Sequence, residues 1–140
     1  MANTREFKKK LWEDLYDAQC GLCIYSGEEM KKEISNDPYS ASLDHIKPRE
    51  QGGSTTPNNL ILCCRKHNMN KNSEDLKKWW QRKYFFSKNR YMILSFYQLV
   101  PNLDLLNFLM SNYGKDQYPL EKSNDMLWMK IMSDIVKFYS

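Results

Sequence analysis

No apolar run in the sequence approaches the ~18 residues that a membrane-spanning helix requires, so no membrane association is expected. The amino-terminal MANTREFKKK carries charge but no apolar h-region, and a secretion signal is not expected either. The compartment that follows is cytoplasmic, and there four cysteines are not expected to form structural disulfides. Metal binding is their default reading. Histidine is scarcer still, with two in the chain. Internal repeats and low-complexity tracts are absent, which excludes a repeat array or a disordered tail as the organising feature.

What is present is ordinary for a soluble fold: 41% hydrophobic, 27% charged and 14% aromatic residues over 140 positions. That length predicts one domain with an appended part, divided here as 1–72 and 73–140. The net charge is only +4, but it is unevenly placed. Arg65 to Arg90 holds nine Lys/Arg against two Asp/Glu, a net of +7, so the remainder is at −3. Such asymmetry points to a polyanionic partner.

Periodicity predicts a helix over Thr4–Ala18, with Phe7, Leu11 and Leu15 on one face and Thr4 as its N-cap. SLDHI, stopped by Pro48, and LILCC read as strands. Turn residues fill REQGGSTTPNN between them. RKHNMNKN begins a short helix, and Ser73 is the expected cap of a following one through Phe86. Beyond Ser87, three apolar-periodic stretches interrupted at Pro101 and around Gly114–Pro119 predict helices that pack a core.

Cys20 and Cys23 form a C-x2-C pair, and Cys64 and His67 a C-x2-H pair. Thiolates with an imidazole in a filled tetrahedral set suit a structural Zn²⁺. Cys63 to His67 is also a usable spacing. Cys64 is preferred because Cys63 continues the apolar run of the strand and reads as a small buried hydrophobe.

Asp44 directly precedes His45. A histidine can take a proton from water, and a carboxylate can hold a divalent cation that neutralises a phosphate. Neighbours on a strand face opposite sides, so a twist or bulge is expected if both are to serve one site.

The ordered set C-x2-C, LDHI-x-P, GG, NNLILC-C-x2-H-N-x2-K resembles the HNH endonuclease family over about Cys20–Lys71. The resemblance implies an α+β fold: a ββα-metal finger with an N-terminal helix and a mostly helical C-terminal extension. It implies His45 as general base, Asp44 and Asn68 as ligands of a catalytic Mg²⁺ or other divalent metal, and Asn59 as the residue that supports the finger and orients the base. It also implies Cys20, Cys23, Cys64 and His67 as the zinc set, and Lys71 near the phosphates. His67 stands where a fourth cysteine is common.

The expected partner is DNA, double-stranded in the simplest case. Arg65, Lys66, Lys71, Lys77, Lys78, Arg82 and Lys83 are the candidate phosphate contacts. Trp79 and Trp80 are read as packing rather than base-stacking residues. One such site cuts one strand, so the C-terminal helices are dimerisation candidates for double-strand cleavage. The alternative from a different class is a non-catalytic, zinc-stapled nucleic-acid-binding module or a subunit of a phage or defence complex.

Overall fold

The computed structural model describes residues 4–83, 87–115 and 125–140. The end of the helix expected through Phe86, and most of the break expected around Gly114–Pro119, lie outside these residues. The first element is α1 (Thr4–Ala18). Its buried Leu11, Leu15 and Ala18 fall on one side, as the 3.6-residue period requires. Cys20 (φ 56) and Gly21 (φ 69) both turn left-handed and end the helix. The Gly21 N–H returns to the Tyr16 carbonyl at 2.9 Å, the bond that closes a Schellman-type terminus.

The chain then enters an antiparallel pair, β1 (Ala41–His45) and β2 (Leu60–Cys64), joined by two 3-10 turns at Arg49–Gln51 and Pro57–Asn59. The register runs from Ala41 opposite Cys64 to His45 opposite Leu60 without a break. Every residue of β2 is buried, because it is covered on both faces. Its outer edge does not face water: buried Gln19 accepts from the Leu62 N–H at 2.9 Å and donates to the Leu62 carbonyl at 2.9 Å. A side-chain amide there replaces a third strand and blunts an otherwise sticky edge.

α2 (Arg65–Lys71) follows directly and lies across the hairpin, completing the expected ββα unit. α3 is shorter than expected, Leu76–Gln81. Its cap is Asp75, which accepts from the Lys78 N–H, rather than Ser73. Trp79 and Trp80 on α3 are both fully buried, so neither is available to stack on bases. Each packs edge-on against Tyr25, with centroids 5.0 and 5.5 Å apart. Such a core tryptophan costs about 3–5 kcal/mol to truncate to alanine.

α4 (Lys88–Leu99), α5 (Leu103–Tyr113) and α6 (Asp125–Phe138) form the helical C-terminal part. Ser87 and Asn102 cap α4 and α5 by accepting backbone N–H bonds. α5 packs on α1, and α4 packs on α5 and on the turn that precedes β2. A buried guanidinium strengthens this junction: Arg90 donates to the carbonyls of Tyr25 and Gly114. No helix among the described residues is long and apolar enough to cross a membrane.

Candidate active site

β1 ends at His45, and alternation sends its side chains to two faces. Ser42 and Asp44 face α2, where Asn68 Nδ2 donates to Ser42 Oγ at 2.8 Å and Lys71 Nζ lies 3.1 Å from Asp44 Oδ2. Leu43 and His45 face the other way. The bulge allowed for by the Asp-His adjacency is absent, since the register is continuous. Both residues nevertheless line one cleft of about 150 Å³, together with Pro48, Arg49, Glu50 and Asn72. The cleft lies where the strand stops, so the two faces meet at its end.

Asp44 is 6% exposed. Burial pushes its carboxyl above the usual range, and Lys71 and the Tyr25 hydroxyl oppose that without cancelling it. Tyr25 donates to Asp44 Oδ2, and its own hydroxyl is pushed well up by burial and by Asp44. The tryptophan-backed tyrosine of the core thus supports the carboxylate of the cleft.

Burial holds the His45 imidazole below its ordinary range, with Lys8, Arg49 and Lys71 adding to the effect against the pull of Asp44. The ring is therefore neutral at pH 7, the form that can accept a proton. His45 Nε2 lies 2.9 Å from Thr55 Oγ1.

Asn59 is buried and makes three side-chain bonds. It accepts from the Lys47 N–H at 2.8 Å and donates to the carbonyls of Lys47 at 3.0 Å and Ser54 at 2.8 Å. These close the loop that leaves the strand two residues after His45. Asn58 instead is exposed and reaches the Gln98 carbonyl. Gly53 belongs to the same closure, because a Cβ there would meet the Lys47 carbonyl oxygen at 1.8 Å.

Asn68 directs its amide N–H groups at Ser42 and at the Leu43 carbonyl. Its carbonyl oxygen is the remaining donor atom; Asn68 lies with Asp44 on the α2 side of the hairpin but is not among the residues that line the cleft. A carboxylate and an amide oxygen suit a hard cation such as Mg²⁺ or Mn²⁺, which keeps most of its shell as water and phosphate. The donor chemistry fits such an ion.

The zinc quartet does not fit. Among the described residues no group of three or more His, Cys, Asp or Glu side chains is placed to hold a metal. Cys20, in the left-handed turn that ends α1, is exposed and lies on α5, 3.4 Å from Ser111 Oγ and 3.7 Å from Asn107 Nδ2. His67 Nε2 lies 2.9 Å from Glu28 Oε1, and Lys66 holds the other oxygen of that carboxylate at 3.0 Å. Only Cys23 and Cys64 come together. Burial pushes the Cys23 thiol up, but hydrogen bonds from Cys64 and Ser26 outweigh it and bring Cys23 to about 6, while the shared proton and burial push Cys64 up. Cys63 is fully buried beside them, its thiol on the Ser42 carbonyl.

The candidate phosphate contacts divide. Lys71 is buried, its ammonium shared between Asp44 and the His45 carbonyl, so it faces the interior rather than solvent. Lys66 is paired with Glu28, Arg82 with Glu74, and Lys83 lies over the Trp79 ring. Lys77 and Lys78 are exposed, and Arg65 is half-buried.

Sequence reasoning missed Tyr25, Thr55 and Asn72. Tyr25 sat in an apolar stretch and Thr55 in a run of turn residues, and only tertiary proximity sets them apart. Asn72 adopts φ 51, ψ −127, a region that side chains other than glycine rarely enter. Such conformations gather at functional sites.

Residues 20–74 match the family model described as HNH endonuclease. No curated protein matches the chain.

Proposed function

We infer that the HNH endonuclease domain of this chain, residues 20–74, is a metal-dependent nuclease that hydrolyses DNA phosphodiester bonds. The carrying observation is that a neutral, half-buried His45 and the adjacent acidic residue Asp44 both line one cleft at the end of β1.

His45 is the general base. With Nε2–H donating to Thr55 Oγ1, Nδ1 holds the lone pair that takes the proton of a water molecule. The hydroxide so formed attacks phosphorus and the bond to the 3′ oxygen breaks; that oxygen takes a proton from solvent, leaving a 5′-phosphate and a 3′-hydroxyl. A divalent cation held by Asp44 and Asn68 would supply charge neutralisation on the phosphate and on the departing oxygen. Asn59 fixes the loop behind the base, and Thr55 fixes the imidazole plane.

A second reading, a nucleic-acid-binding module without catalysis, is favoured by one observation: Lys71 already neutralises Asp44. Incubation with supercoiled plasmid and Mg²⁺, Mn²⁺ or Ni²⁺, with and without EDTA, separates the two. The nuclease nicks in at least one metal and stops in EDTA. His45→Ala keeps the fold, shown by an unchanged urea transition, and loses cleavage. Metal-dependent nicking by that variant would sink the base assignment, and binding without nicking in any metal would establish the module.

A further inference from the structure

Beside the cleft at His45, between α1 and β1, lies a groove of about 870 Å³. Its cations come from α1 (Arg5, Lys8 and Lys9) and from the first residue of α2, Arg65. Among the described residues no carboxylate lines it. Its floor is apolar: Trp12, Ile34 and Leu43. Ile34 is 82% exposed, an uncommon position for a large aliphatic side chain next to four cations. Trp12 is already fixed, its indole N–H on the Ala41 carbonyl at 2.9 Å and its ring stacked on Tyr16. It presents an aromatic surface that loses little freedom when something lies on it.

The groove is continuous with the chemistry. Leu43 and His45 share the β1 face that turns away from α2, so the strand that floors the groove ends at the proposed base. A chain of phosphates entering the cleft at His45 therefore has a cationic rim to follow, and that rim belongs to α1.

An apolar floor with an aromatic ring and a cationic rim matches one form of nucleic acid better than the other. A duplex presents phosphates and groove edges to a protein, with its base faces stacked inside. A single strand presents phosphates and unstacked bases together, which need cations and apolar or aromatic surface in one trough. We propose that the groove between α1 and β1 binds a single-stranded DNA segment that flanks the scissile phosphate, its backbone on Lys8, Lys9 and Arg65 and its bases over Trp12, Ile34 and Leu43. The proposal rests on the nuclease reading for the identity of the polyanion. It names the substrate class more narrowly: DNA with an unpaired segment beside the cut.

The test measures binding in EDTA, where no cleavage occurs. Fluorescence anisotropy compares a labelled oligothymidylate with a blunt duplex of equal length, for wild type, Lys8→Ala/Lys9→Ala and Ile34→Glu. All three positions are exposed or half-exposed, and far-UV circular dichroism checks that the fold is kept. Wild type should bind the single strand more tightly than the duplex. Both variants should weaken single-strand binding roughly tenfold, and the lysine pair should reduce the salt slope of single-strand binding by about 1.4. Single-strand affinity unchanged in both variants, or a duplex bound as tightly as the strand, overturns the proposal. Plasmid nicking is scored separately. Nicking with groove variants that bind the strand normally overturns the groove alone, while a groove that behaves as stated without nicking in any metal leaves the groove standing and overturns the nuclease.

Discussion

Lys71→Met isolates the electrostatic centre of the fold. Lys71 is fully buried and its ammonium lies 3.1 Å from a carboxylate whose side chain is 8% exposed. The only other side-chain donor to that carboxylate in the structure as described is Tyr25. Methionine keeps the unbranched shape, so little cavity opens, but Asp44 loses its cation and must either stay charged and buried with one neutral donor or take up a proton. Breaking a buried pair on one side costs about 3–5 kcal/mol, against a total stability of about 5–15 kcal/mol for a domain. With a urea slope of about 2 kcal/mol/M, the midpoint should fall by roughly 1.5–2.5 M. The second arm is Asp44→Asn/Lys71→Met, in which Tyr25 can still donate to the amide oxygen and no charge remains. That double variant should be more stable than Lys71→Met alone, with a coupling of roughly 2 kcal/mol between the two sites. Measurements are made in EDTA. A loss under about 1 kcal/mol for Lys71→Met, or additive losses in the double variant, would show that the pair behaves like an exposed one and would refute the reasoning.

Thr55→Val removes the hydroxyl that engages His45 Nε2 and should lower kcat about tenfold with KM unchanged; an unchanged kcat would mean that the imidazole is oriented by its packing instead. Gly53→Ala places a Cβ against the Lys47 carbonyl and should cost about 1–3 kcal/mol, read as a lower thermal midpoint, with a larger loss of nicking because Lys47 anchors the loop behind the base. Burial pushes the Glu28 carboxyl up, but hydrogen bonds from His67, Lys66 and Ser26 outweigh it and hold it at about 2, below its ordinary 4.5. A depressed carboxylate contributes its full stabilisation above the unfolded value and loses it as pH falls toward the folded one. Urea midpoints of wild type and Glu28→Gln should therefore differ at neutral pH and converge as pH drops from 4.5 to about 2, the gap being about 1 kcal/mol after allowance for the carboxylate's partial exposure. A gap independent of pH would assign Glu28 a packing role.

Much of the architecture was legible in the sequence because its signals are local. The apolar stripe of α1 follows from period and the two short strands from apolar runs bounded by turn residues, and each falls within a residue of where it was expected. The helix after Ser73 did not, because Asp75 competes for the same cap two residues on and wins the Lys78 N–H. Spacing alone could not rank the cysteine partners. C-x2-C says that two thiols are near in sequence, but Cys20 sits in the left-handed residue that ends α1, and its thiol lies on α5 while Cys23 turns into the core. Lys71 was misread for a related reason. A basic residue in a basic segment reads as solvated, and only the hairpin beneath α2 reveals a buried carboxylate waiting for it. The α1 groove was missed because its cations lie outside the segment of highest charge density, brought to the strand by folding.

The hairpin has only two strands, so the division of labour between Asp44 and His45 is a matter of parity. A slip of one residue in the pairing would exchange the faces of every side chain on β1. The carboxylate would turn toward the α1 groove and its cations, and the imidazole toward Lys71 and Tyr25. Neither chemistry would survive, although composition, helix content and most of the hydrophobic burial would. Gln19 grips β2 at Leu62 and Asn59 ties the loop to Lys47, and between them they count the residues of the strand. Variation at those two amides is thus a route by which the fold could persist while its reactive face falls silent.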